Sequence, residues 1–372
     1  MSLRTLSTVV AIAVSVASVK AQDAPQETFP AVPLAEKKFS YPDGIPYQVD
    51  TDTNLIRGFQ SGYNLCNTTT EGQDSKCQTS FFNSLDDFCL WAPMEPNSAI
   101  ADTEGEEVAW CTKPGRGTRL IPEGTFTGLQ YIKTPDYIQI VGFMDGTKIN
   151  IKEGDFGGEL DPHGADLRGN PMGGLMYSNA FSGGGDNLQQ VIEWTNFMGS
   201  KSFCFKACDP AGDRQATLCE HKLDRIGCNF NMPNLAQDGV FESCEGESQD
   251  PPGVYVENGV TQSFNQPGET EVPNPTYTPR IPVSSNCQTF TSTEIFAALA
   301  TVKPDPAVIG ASSPGSATTS GTGSSSAGGP RPTNSGAPGD SQDAEGSASV
   351  LGVNALGIVG ALMSMISAML FV

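Results

Sequence analysis

The chain is short of the residues that carry most enzymatic and nucleic-acid chemistry. It has two histidines, His163 and His221, in 372 residues, and its central part contains no GxSxG elbow, HExxH helix or phosphate loop. Basic residues are also scarce, with 21 Lys and Arg against 42 Asp and Glu. Nucleic acid is excluded as a partner, because polyanion binding requires clustered cations that displace counterions. A copper oxygenase that binds its metal through an N-terminal histidine is disfavoured by Gln22, where the mature chain is expected to begin. Hydrophobic residues make up only 38% of the chain, which predicts one moderate core joined by long polar connections.

The two ends of the chain are informative. Residues 1–21 read as a secretory signal peptide, with Arg4 in the n-region, an apolar run from Val9 to Val19, and small residues at Val19 and Ala21. Its removal takes Arg4 and Lys20, leaving 19 basic against 42 acidic groups, a net charge of −23. Residues 350–372 are apolar and are followed by no Lys or Arg, so a stop-transfer helix lacks its usual basic flank. A small-residue site, a polar spacer and an apolar tail instead match a signal for attaching a glycolipid (GPI) anchor, with Asn334 or Gly339 as the attachment residue. The alternative for the tail is a true transmembrane helix.

Ten cysteines lie between these ends: Cys66, Cys77, Cys89, Cys111, Cys204, Cys208, Cys219, Cys228, Cys244 and Cys287. An even number in a secreted chain predicts five disulfides, paired within an N-terminal four and a C-terminal six. Zinc at Cys204 and Cys208 is the competing reading, but paired CxxC motifs are missing and the compartment is oxidising. Residues 22–55 form a Pro-rich lead-in, 56–303 a disulfide-rich ectodomain, 304–349 a Ser/Thr/Gly/Pro-rich stalk and 350–372 the anchor-signal tail. The stalk has no aromatic residue, and half of residues 312–335 are Ser or Thr, a composition that predicts disorder and O-glycosylation. Asn67-Thr68-Thr69 is an N-glycosylation sequon.

Within the ectodomain, period-two alternation predicts a mainly β fold, a β-sandwich or jelly-roll with short helices. Tyr137–Phe143, the turn Asp145-Gly146 and Thr147–Ile151 read as a hairpin. Val191–Met198, Ser202–Lys206, Val254–Val256 and Val260–Phe264 read as strands. Residues 80–90, 215–225 and 293–302 are the helix candidates. Trp91, Trp110 and Trp194 could stack on sugar rings, although their cysteine neighbours favour core packing. His221 reads as a partly buried, hydrogen-bonded residue.

One loop suggests chemistry. Residues 153–174 gather Asp155, Glu159, Asp161, His163 and Asp166 among seven glycines. Glycines let a backbone turn several carboxylates toward one point, and calcium is the ion such oxygen ligands would hold. A carboxylate pair could also act on a glycosidic bond. The plain alternative is a surface loop whose acids bond to its own turns. No catalytic residue is assigned.

Longer strings carry a resemblance. Tyr63-Asn-Leu-Cys-Asn-Thr-Thr-Thr-Glu-Gly72, Asp86-Asp-Phe-Cys-Leu-Trp-Ala-Pro93, Trp110-Cys-Thr-Lys-Pro114, Gly158-Glu-Leu-Asp-Pro-His-Gly-Ala-Asp-Leu-Arg-Gly-Asn-Pro171 and Phe241-Glu-Ser-Cys-Glu-Gly246 resemble fungal secreted proteins of the macrophage activating glycoprotein family, over roughly residues 55–290. The resemblance implies a secreted or wall-associated fungal glycoprotein and carries over no catalytic residue. The expected role is a non-enzymatic surface protein, lipid-held at the membrane or in the wall, acting in adhesion, wall organisation or recognition. The alternative is a carbohydrate-binding or carbohydrate-active protein that meets wall polysaccharide through the 153–174 loop.

Overall fold

The computed structural model describes residues 29–301 apart from 53, 54 and 269. The expected signal peptide, stalk, tail and both anchor sites lie outside the described residues. The fold is mainly β. One sheet is built from β1 (Thr79–Ser84), β2 (Asp87–Ala92), β3 (Val108–Cys111), β4 (Arg119–Leu120), β8 (Leu175–Ser178) and β9 (Gln189–Val191), in the order β4-β3-β2-β1-β8-β9. The second contains β5 (Phe126–Lys133), β6 (Tyr137–Met144), β7 (Gly158–Leu160), β10 (Trp194–Met198), β11 (Ser202–Cys208), β12 (Phe241–Gly246) and β15 (Ser284–Phe290), in the order β15-β12-β5-β6-β11-β10-β7. β13 (Val254–Glu257) and β14 (Val260–Ser263) form a separate hairpin around Asn258-Gly259, as the sequence predicts.

The two sheets pack face to face through aromatic residues. Phe82 stacks on Phe205 with ring centroids 5.0 Å apart, and Trp91 on Trp194 at 4.3 Å. Phe88 contacts both Phe126 and Phe203. Such pairs add geometric preference to the apolar area they bury, so they fix how the sheets sit on each other. All three tryptophans are in this core or at its margin, none more than 4% exposed.

The first sheet is covered on its other side as well. Leu34, Ile45 and Val49 of the lead-in pack against Phe81, Tyr177 and the Cys89–Cys111 disulfide. The described part of the lead-in is therefore folded onto the body, because these apolar side chains have a sheet face to bury against.

This double coverage corrects the helix expected over 80–90. Phe81 faces the lead-in and Phe82 the sandwich core, so β1 and β2 are buried on both faces and lose the alternation by which a strand is recognised. The expected hairpin after β6 is also corrected: β6 pairs with β5 and β11, and Gly146–Ile149 is a 3-10 turn. Asp145 caps that turn, accepting from the Thr147 N–H at 3.2 Å and the Thr147 hydroxyl at 2.6 Å. Val191–Met198 is two strands in different sheets rather than one. Residues 215–225 contain only a single helical turn, α2 (Gln215–Leu218), and the 293–302 candidate is a turn at Ser292–Ile295 followed by a 3-10 segment.

All ten cysteines are paired: Cys66–Cys77, Cys89–Cys111, Cys204–Cys228, Cys208–Cys219 and Cys244–Cys287. Pairing stays within the two groups expected from the spacing. Cys204 and Cys208 join different partners, which removes them as zinc ligands.

Candidate functional site

β7 is the edge of the larger sheet, and the glycine-rich loop leaves from both of its ends. Gly157 is held so close to the backbone of Met198 that a Cβ there would lie 1.8 Å from its carbonyl oxygen, and its φ is +96°. The next strand residues therefore sit directly against β10, and Glu159 stands opposite Phe197.

Beyond β7 the loop is pinned by two arginines. Arg57 donates to both carboxylate oxygens of Asp166 at 2.7 and 2.5 Å, and also to Asn170 and the Gly169 carbonyl. Arg168, only 2% exposed, donates to Asp50 at 2.6 Å and to the Gly58 carbonyl. A bidentate guanidinium–carboxylate pair fixes orientation as well as distance. Asp161 accepts from the backbone N–H groups of His163 and Gly164 at 2.7 and 2.8 Å.

The four acids and the histidine expected as metal ligands thus take up separate duties. Asp166 belongs to the arginine network, Asp161 closes its own turn, and Asp155 accepts from the Ile100 N–H. His163 faces Glu193 at 3.1 Å. Glu159 accepts from the Thr195 hydroxyl at 2.5 Å. Among the described residues, the one trio whose ligand atoms lie within 4.8 Å of each other is Glu242, Cys244 and Cys287, and both of its sulfurs are consumed by a disulfide. The convergence expected of a calcium loop is absent from that set, because cationic and N–H donors already hold several of the oxygens.

What the loop does help to form is an open cleft of about 1330 Å³. Its lining includes Glu104, Glu159, Asp161, His221, Asp224 and Arg225, with the backbone of Met198 and Gly199. Cys228 of that lining is tied to β11 by its disulfide with Cys204.

Burial, together with the neighbouring Asp161, raises Glu104 to about 7 and pushes Glu159 well above the ordinary carboxylate range. Both therefore hold protons to higher pH than an exposed glutamate, and can donate a hydrogen bond as well as accept one. His163 and His221 stack with ring centroids 3.9 Å apart. Burial opposes the charge on His163, yet the contact with Glu193 outweighs it and raises its pKa; on His221 burial and the neighbouring His163 lower it. His221 is half-buried, as the sequence reading expects, but among the described residues its Nδ1 has no hydrogen-bond partner.

Glu104, Arg57, Glu193 and Thr195 were not singled out by the sequence reading. Each is remote in sequence from what it touches, and no local spacing marks them; the glycine density of the loop is the signal the sequence offers. Asn67 is exposed, its side-chain oxygen accepting from the Thr69 N–H and hydroxyl at 2.9 and 2.6 Å.

Comparison with known proteins gives two relatives. The chain is 49% identical over 196 residues to appressorium protein ROW1 of Mycosarcoma maydis, the match covering 53% of this chain and 46% of ROW1. It is 46% identical over 203 residues to appressorium protein ROW2 of the same fungus, covering 54% of this chain and 69% of ROW2. The chain thus spans about half the length of ROW1 and two thirds of ROW2. No protein-family model and no solved structure matches.

Proposed function

Since this chain belongs to the same protein family as the fungal appressorium protein ROW2, we propose that it is a non-enzymatic secreted glycoprotein of the fungal cell surface. Its work there is adhesion, wall organisation or recognition. The observation that carries this reading is the use of all ten cysteines in five disulfides across a β-sandwich. Disulfides persist in oxidising, extracellular settings and are rare in the cytosol.

The proposal includes the processed ends: a signal peptide removed near Gln22, a glycosylated stalk, and a GPI lipid attached at Asn334 or Gly339. It also includes a glycan at Asn67. The resemblance to macrophage activating glycoproteins fits this setting, although that label describes an effect on foreign immune cells rather than a task in the fungus. A link to the appressorium, taken from the relatives' names, is part of the same proposal.

The test is antibody labelling of an epitope tag inserted after Asp23 in intact, unpermeabilised fungal cells. The expected result is labelling at the cell periphery without detergent. Labelling that needs permeabilisation would overturn the reading.

A further inference from the structure

The cleft beside β7 has a rim feature that no packing explains. Phe156 is fully exposed, at 104% of its reference area, and it lines the cleft mouth. Its backbone is held on both sides. The Asp155 carbonyl accepts from the Ser200 N–H at 3.0 Å, the Asp155 carboxylate from the Ile100 N–H at 3.1 Å, and Gly157 lies against Met198. An aromatic ring is thus presented to water from a fixed base. Phe230, whose ring packs edge-on against Tyr277, is a second, half-buried ring in the lining, within the segment tied down by Cys228.

The lining also carries hydrogen-bonding side chains, those of Glu159, Asp161, Asn170, Asp224 and Arg225. Apolar rings at the mouth with hydrogen-bonding groups inside suit a ligand that has both an apolar face and a dense set of hydroxyls. A pyranose ring has both, its C–H face lying on an aromatic ring and its hydroxyls bonding to carboxyls, amides and guanidinium groups.

We propose that this cleft binds an uncharged oligosaccharide, with Phe156 as the stacking platform at its mouth. The volume of about 1330 Å³ exceeds the 300–1,000 Å³ typical of small-ligand sites, which leaves room for several sugar units. Uronate polymers are disfavoured by the carboxylates of Asp161 and Asp224. Cationic chains gain little, because Glu104 and Glu159 hold protons toward neutral pH and Arg225 and Lys201 offset the remaining acids. The inference leans on the extracellular reading only for access to polysaccharide. Its test uses purified protein, so either can fail without the other.

The experiment is calorimetric titration of the purified, disulfide-intact protein with hexamers of β-1,3-linked glucose, of N-acetylglucosamine and of galacturonic acid, repeated with Phe156→Ala. Phe156 touches solvent on all sides, so the variant should melt with the parent. The expected result is saturable binding of at least one uncharged hexamer, no tighter binding of the galacturonate hexamer, and about ten-fold weaker binding in Phe156→Ala. Failure of both uncharged hexamers to bind at millimolar concentration would overturn the proposal. Equal affinity in parent and variant, or preference for galacturonate, would do the same.

Discussion

At the scale of single residues, Glu104 couples the cleft to pH. It is partly buried beside Asp161, accepts from Asn170 at 3.1 Å, and is raised from 4.5 to about 7. A carboxyl whose folded pKa lies above its unfolded value contributes stability that is fully present below the unfolded value and is lost as pH rises through the folded one. The window is therefore pH 4.5 to about 7, and Glu159 acts in the same direction. Allowing for partial exposure, the Glu104 contribution is about 2 kcal/mol. We predict that the melting temperature falls across this window and that Glu104→Gln makes the fall shallower. An unchanged slope in the variant would mean that other groups set the dependence.

At the scale of elements, Lys206 joins β11 to the segments that follow it. It is fully buried, and its ammonium donates to the carbonyls of Leu218 and Asn231 at 3.2 and 2.7 Å and to the Gln249 side chain at 2.6 Å. The Tyr137 ring lies 5.0 Å away. Burial lowers its pKa well below the usual lysine value, so the three acceptors are what keep the group tolerable in the interior. Replacing it with Met takes that donor from the Leu218 carbonyl and Gln249 Oε1, while the Asn231 carbonyl keeps only the Gln249 amide at 3.1 Å, and Lys206→Met should lower unfolding stability by about 3 kcal/mol in urea titration. Lys201→Met, at an exposed neighbouring position, should change it by less than about 0.5 kcal/mol.

The strands that carry such contacts were unevenly legible. β11 and the β13–β14 hairpin follow from alternation and the Asn258-Gly259 turn. β1 and β2 do not, because burial of both faces leaves no polar side to mark the period. Asp145-Gly146 looked like a hairpin turn, but the chain had a neighbouring partner in β5, and Asp145 capped a 3-10 turn instead. At the candidate site, the glycine-rich loop was visible and its contacts were not. Asp166 finds Arg57, and Arg168 finds Asp50, across more than a hundred residues. Only tertiary packing brings such partners together.

At the scale of the whole molecule, a disulfide-tied sandwich is joined to a proposed surface address. The sheets meet through stacked aromatics, the lead-in covers one outer face, and the loops beside β7 frame the cleft. A body built in this way is suited to stand outside a cell without a reducing environment to maintain it. The proposed means of holding it there is a lipid. The most direct measurement is phospholipase C treatment of intact fungal cells, with mass spectrometry of the C-terminus of whatever is released. The expected result is release of a disulfide-bonded protein ending in a glycan remnant at Asn334 or Gly339. Retention on the cells with Val372 still in place would contradict it.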